Sequence, residues 1–237
     1  MHAELDVGSV LAPGRTLRPA RGPVVSTLPA GDEGARYDRR AATYVRLIGN
    51  RVYNRLAWGT SPSQYAAFAA EAVAAGSGRL LDAGCGTATF TAAAYGEARR
   101  PLVLSDRSLD MLERAAQRLV DAPAAFVQAD LLALPFAPGQ FSTVACFGVL
   151  HVLDDLRGAL AALRDQLAPG GQLFASTLVA DRAVGRAYLN ALHRAGEVAE
   201  PRRTEQVAAA ARAVFGAPMA VQRTGSMAWL RAAVVER

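Results

Sequence analysis

The chain has 237 residues, 51 % of them hydrophobic, which suits one domain with a full core and excludes global disorder. Its 26 basic and 21 acidic residues give a net charge of +5, but every basic residue is arginine and alanine is abundant, so GC-rich coding explains the charge and nucleic-acid binding is not inferred from it. Two cysteines, three scattered histidines and the lack of a long apolar run argue against a disulfide scaffold, a zinc site and a membrane span, and a cytoplasmic protein without metal is expected.

Residues 1–36 are rich in Gly, Pro and Ala without a sustained period and read as a partly flexible N-terminal tail. From Tyr37 to Leu56 apolar residues recur at helical spacing, and Trp58 to Pro62 breaks the pattern. A second helix is expected from about Ser61, with Pro62 in its first turn and a stop at Gly76-Ser77-Gly78. Residues 37–76 would thus form helices on a cap or substrate side, and 77–237 the core. In the core, Arg79 to Ala83 reads as a strand entering the turn Gly84-Cys85-Gly86, and Thr89 to Ala98 as a helix. Leu102 to Asp106 is a second strand, after which Ser108 caps a helix that turns Met111, Leu112, Ala115 and Leu119 inward. Ala125 to Asp130 and Phe141 to Phe147 are further strands. A helix from Leu156 to Leu167 ends at Pro169-Gly170-Gly171, and Gln172 to Thr177 is a fifth strand. Arg182 to Ala195 is helical, and Thr204 caps another helix through Val214. Met219 to Gln222 and Met227 to Ala233 then form an antiparallel pair joined by Arg223 to Ser226.

This alternation implies an α/β fold, a mostly parallel sheet with helices on both faces and an antiparallel C-terminal edge. Ligands in such sheets lie beyond the carboxyl ends of the strands, where strand order reverses. Asp82, Asp106, Asp130 and Phe147 all fall on that rim. Gly84 and Gly86 let the backbone approach a ligand closely, with Ala88 as an undemanding replacement for a third glycine. Asp82 would repel a pyrophosphate and suits a ligand carrying an ammonium group; the bland alternative is that it caps nearby N–H groups. Asp106 has two oxygens for the two hydroxyls of a ribose. Asp130 can accept from an adenine amino group, Leu131 can offer its N–H to the ring, and Met111 either packs on the adenine or belongs to the core.

Together these residues resemble class I S-adenosylmethionine-dependent methyltransferases. Leu80 to Thr87 is similar to their first motif, Asp106-x-Ser108-x-x-Met111-Leu112 to the second, and Asp130-Leu131-x-x-Leu134-Pro135-Phe136 to the third. Val149 to Asp155 and Leu167 to Gly171 are similar to the stretches after strand four and before strand five. Tyr37-Asp38-x-x-Ala41-x-x-Tyr44 resembles the N-terminal pattern of the small-molecule enzymes of ubiquinone and menaquinone biosynthesis.

The resemblance implies a Rossmann-like sheet of seven strands, S-adenosylmethionine as cofactor and methyl transfer to a small-molecule acceptor. It implies that the turn Asp82, Gly84, Cys85 and Gly86 lies along the methionine part, that Asp106, Arg107, Asp130 and Leu131 line the ribose and adenine, that Phe147 borders the methionine, and that Tyr44 closes over the site. His151, four residues past the fourth strand, is the candidate general base, against a packing role. Tyr53 and Trp58 are candidates for a substrate pocket, more often packing residues. An NAD-dependent reductase is disfavoured by Asp82 and by Thr89 where a glycine is wanted. An RNA or protein methyltransferase is disfavoured by Cys146-Phe147-Gly148-Val149, which lacks the N/D-P-P-Y/F motif. A non-catalytic protein that keeps the fold is the third alternative, and a homodimer is left open.

Overall fold

The computed structural model describes residues 6–29, 58–216 and 219–235. Among them are nine strands: β1 (Arg18–Pro19), β2 (Val24–Ser26), β3 (Leu80–Ala83), β4 (Leu102–Asp106), β5 (Ala124–Gln128), β6 (Phe141–Phe147), β7 (Leu167–Leu178), β8 (Ala220–Thr224) and β9 (Met227–Ala233). They form one sheet in the order β1-β2-β5-β4-β3-β6-β7-β9-β8. From β2 to β7 every pairing is parallel, and β1, β9 and β8 are antiparallel to their neighbours. Strand order reverses between β3 and β6, so the ends of those two strands flank the natural ligand crevice.

Six helices accompany the strands: α1 (Pro62–Ala74), α2 (Ala92–Gly96), α3 (Leu109–Arg118), α4 (Leu156–Asp165), α5 (Ala183–Arg194) and α6 (Thr204–Phe215). Side chains alternate across each strand. Leu81, Val103, Val144 and Leu173 face α4 and α6, whereas Leu80, Leu104 and Phe126 face α3 and Tyr95 of α2. On the latter face, beside β7 and β9, Phe174 and Trp229 pack with Phe68 of α1 and Leu189 of α5. Phe68 lies within 5.5 Å, centroid to centroid, of Phe147, Phe174 and Trp229, and Glu71 pairs with Arg231 of β9, so α1 is fastened by rings and by an ion pair.

Local chemistry explains the boundaries. Pro62 opens α1, and the Ser61 N–H donates to Gln64 Oε1 at 3.0 Å. The Ser108 hydroxyl accepts from Met111 N and starts α3. At α6 the expected cap is corrected: Arg203 is the flanking residue, and the Thr204 N–H and hydroxyl both donate to Asp181 Oδ2. Helix α2 is shorter than the stretch from Thr89 to Ala98, because the chain turns through a left-handed residue at Ala88 before the helix begins. Strand β7 begins five residues earlier than expected, running through Pro169 to Gly171 with a register irregularity against β6.

The sheet has two strands more than the expected seven. Residues 6–29 read as tail, yet Val7 and Val10 are buried in the core, Leu11 bridges Phe136, and β2 pairs in parallel with β5. Arg21 secures this strap by ion pairs to Asp110 and Glu113 of α3. The alternation rule missed it because a strand of three residues carries no readable period. The helix expected from Tyr37 to Leu56, with Tyr44 and Tyr53, lies outside the described residues. Among the described residues, no helix is long and apolar enough to cross a membrane, and no His, Cys, Asp and Glu cluster could hold a metal ion.

Candidate functional site

The rim begins at the end of β3. The Gly84 and Cys85 N–H groups turn back to the Ser105 carbonyl of β4, at 2.7 and 3.0 Å. The chain does this through left-handed residues, Gly84 at φ 82° and Gly86 at φ 53°. Gly84 has a second requirement, since a Cβ there would sit 2.5 Å from Val149 Cγ2 on the turn after β6. At Gly86 the space a Cβ would take is open. Ala88 is also left-handed, at φ 53°, alone among the described non-glycine residues. It is therefore a more demanding replacement than the sequence suggested, at about 1–2 kcal/mol of backbone cost, of which burying its methyl offsets about 0.8 kcal/mol.

Asp82 lies under this loop, only 1 % exposed. It does not cap the loop N–H groups, which are taken by Ser105 and Asp106. Instead its Oδ2 accepts from the phenol of Tyr95 at 2.8 Å, while Oδ1 is buried with no partner. Burial pushes its carboxyl up to about 7; the Tyr95 hydrogen bond opposes this and the nearby Asp106 charge adds to it. A cation reaching the loop would meet a carboxylate with an unused acceptor.

Asp106, at the end of β4, accepts from Gly86 N at 2.8 Å through Oδ2 and from Ser108 N at 2.9 Å through Oδ1. A carboxylate can accept more than two hydrogen bonds, so bracing the loop is compatible with accepting from hydroxyls. Beside it, Arg107 forms an ion pair with Asp130 Oδ2, and Asp130 Oδ1 accepts from Leu132 N at 2.9 Å. Both oxygens of the expected adenine acceptor thus already have protein partners, and a ring amino group must share them. Leu131 and Met111 are buried, and Phe147 is half-buried against Phe68.

Cys85, half-buried in the loop, and the buried Cys146 are free thiols whose ionisation is pushed well above the ordinary range, chiefly by desolvation. Trp58 is buried in the apolar cluster and edge-on to Tyr188, a packing position. His193 Nδ1 pairs with the Val198 carbonyl at 3.1 Å on the surface side of α5.

His151 sits in the short 3-10 turn Leu150–Val152 after β6. Its Nδ1 is buried without a partner, and the residue lines a small cleft with Thr177, Leu178, Leu189, Glu200 and Arg202. Burial, and secondarily the Arg202 charge, push it down to about 4, so the ring is neutral at pH 7. Arg202 holds the turn by donating to the carbonyls of Leu150, Leu153 and Asp154.

Sequence reasoning missed Tyr95, Ser105, Val149 and Arg202. Tyr95 left one trace, as the lone polar aromatic in an otherwise alanine-rich stretch, but its partner across the turn has no fixed spacing. The other three act through carbonyls or shape, for which residue type gives no signal.

Residues 81–175 match the family described as methyltransferase domain. An uncharacterized protein of Synechococcus is 35 % identical over 139 residues, 56 % of this chain and 33 % of that protein. A demethylmenaquinone methyltransferase of Renibacterium salmoninarum is 35 % identical over 95 residues, 40 % of this chain and 39 % of its own. The chain thus spans about a third to two fifths of the length of these relatives. Among solved structures, a methyltransferase of Thermotoga maritima described as a possible histamine N-methyltransferase superposes with a TM-score of 0.63 at 17 % identity, over 84 % of this chain and 98 % of that one. The fold is the Rossmann-like mixed sheet typical of class I methyltransferases.

Proposed function

We propose, on the premise that residues 81–175 are a methyltransferase domain, that the chain transfers a methyl group from S-adenosylmethionine to a small-molecule acceptor. The observation that carries this reading is the buried, unpartnered Asp82 Oδ1 at the foot of a glycine loop braced by Asp106. That pairing suits a ligand with a cationic methionine end and a ribose diol, and it is wrong for a pyrophosphate. Asp82, Gly84, Cys85 and Gly86 would hold the methionine part, Asp106 the ribose, Arg107, Asp130 and Leu131 the adenine, with Met111 beneath and Phe147 at the methionine border. Tyr44, from the resemblance of its N-terminal pattern, would close over the site.

When bound, the cofactor supplies a methyl group already activated on a sulfonium sulfur. The chain's own task is then alignment and exclusion of water. The glycine loop and the post-β6 turn meet through Gly84 and Val149, so donor and acceptor sides are positioned by one contact. The cleft that His151 lines contains none of the rim residues, so His151 would have to turn its buried, neutral Nδ1 to reach a hydroxyl or amine of the acceptor. A histidine held near 4 is a weak base, and its better role is to orient that proton as it leaves. The finer reading is a demethylmenaquinone-type ring as acceptor. It is supported by the Renibacterium relative and by the Tyr37 to Tyr44 pattern.

Calorimetric titration of the protein, freed of bound cofactor, with S-adenosylmethionine, S-adenosylhomocysteine and NADH tests the proposal. Saturable binding of the first two and none of the third is expected. Binding of NADH alone, or of none, would overturn it.

A further inference from the structure

The buried pair beneath the glycine loop goes one step beyond this reading, on which it rests. Tyr95 is fully buried in α2, and its hydroxyl donates to Asp82 at 2.8 Å. The strand neighbours of Asp82 are Leu104 on β4 and Ala145 on β6, so both flanks are apolar. The charged and titratable groups around it are Tyr95 of α2, Cys85 of the loop, Asp106 at the end of β4 and Cys146 of β6. Among the described residues, neither a guanidinium nor an imidazole acts on Asp82. Burial and Asp106 both oppose its negative charge, and among those residues the phenol hydrogen bond favours it. Whether Asp82 is charged near neutral pH therefore turns on one hydroxyl.

That charge matters differently to donor and product. S-adenosylmethionine carries a sulfonium, and S-adenosylhomocysteine a neutral sulfide; the ammonium, carboxylate, ribose and adenine are common to both. A carboxylate at the methionine end attracts the sulfonium in addition to the shared ammonium. We infer that the Tyr95 phenol keeps Asp82 ionised and thereby sets the preference of the site for the methyl donor over its demethylated product. Tyr95 is a positioning residue: it touches neither ligand and acts through Asp82.

The ratio of the dissociation constants of S-adenosylhomocysteine and S-adenosylmethionine, measured by calorimetry from pH 6 to 8.5, reads this directly. The ribose contribution cancels in the ratio; the sulfonium acidifies its own ligand's ammonium, so the ligands' own pH dependence is read from Asp82→Asn and subtracted. In the unaltered protein the ratio should rise by about fivefold or more across that range. Tyr95→Phe should move the rise upward by at least about one pH unit, so that at pH 8 the ratio stays near its pH 6 value. Asp82→Asn should show the ligands' own baseline without that rise. If Tyr95→Phe does not fold, 3-fluorotyrosine at position 95, a stronger donor of nearly the same shape, should move the rise downward. In the ligand-free protein the carboxyl carbon of Asp82, followed by nuclear magnetic resonance, should shift its midpoint in the same directions. An unchanged midpoint and ratio in both Tyr95 variants would overturn the inference while the cofactor reading stands. Failure of the unaltered protein to bind either ligand would overturn the cofactor reading itself.

Discussion

Replacing Asp82 by Asn should make the ligand-free protein more stable at pH 8 and much less so at pH 5. The carboxyl is held at about 7 in the folded chain, against an ordinary value of 3.8. At about 1.36 kcal/mol per pH unit, keeping it ionised costs the native state about 4 kcal/mol. The sign follows from proton binding. Between pH 3.8 and 7 the folded chain retains a proton that the unfolded chain has lost. The corresponding stabilisation is complete below 3.8, shrinks as pH rises, and is gone above 7. Between pH 5 and pH 8 the wild type should lose about 3 kcal/mol from this site. Asn does not titrate and loses nothing. Urea unfolding followed by circular dichroism at pH 5, 6.5 and 8 measures both proteins under identical conditions, so every other titrating group cancels. Parallel pH dependences, with a gap constant within about 0.5 kcal/mol, would refute the reasoning. The expected outcome is a residue retained against stability, the pattern of a functional site.

The other predictions concern separate parts of the molecule. Asp106→Ala should weaken S-adenosylmethionine about 100-fold in calorimetry, through lost ribose contacts and a loosened Gly86. His151→Ala should lower kcat about tenfold while the cofactor dissociation constant stays within threefold; unchanged turnover would make it a packing residue. Gly84→Ala should cost about 3 kcal/mol, from a left-handed backbone and the Val149 clash, and adding Val149→Ala should recover part of that in thermal unfolding. Arg100, 4 % exposed at the amino ends of β3 and β6, donates to the carbonyls of Val73, Gly78 and Arg79 and to the hydroxyls of Ser142 and Thr143. Arg100→Met should therefore cost about 3 kcal/mol in urea unfolding and leave cofactor affinity unchanged.

The parallel core was legible because its strands are short apolar runs ended by acids and separated by amphipathic helices. Strands β4, β6 and β9 have the expected bounds. The four rim residues Asp82, Asp106, Asp130 and Phe147 do stand at or just beyond the carboxyl ends of β3, β4, β5 and β6. What they bond to was not legible. Asp82 is read correctly as a rim acid, but its partner is a phenol thirteen residues away across an irregular turn. Arg107 and Asp130 each fit a cofactor role, yet they pair with each other, a contact set by strand order rather than by spacing. His151 reads as an ordinary histidine near 6.5 until its surroundings are known; its burial and Arg202, fifty-one residues later, then lower it. The strap of residues 6–29 escaped because β1 and β2 hold together through β5 and α3, not through any pattern of their own.

That strap changes how copies of the chain can meet. Without it β5 would present an open row of N–H and C=O groups, a template for intermolecular strand addition. With it the sheet ends at β1, two residues long, whose Pro19 has no N–H to offer. At the far edge, β8 is mostly exposed and carries Gln222 and Arg223. A sheet closed by proline on one side and by polar and charged side chains on the other resists fibrous or edge-to-edge aggregation. Among the described residues, both edges of the sheet are thus poor templates for strand addition by a second copy.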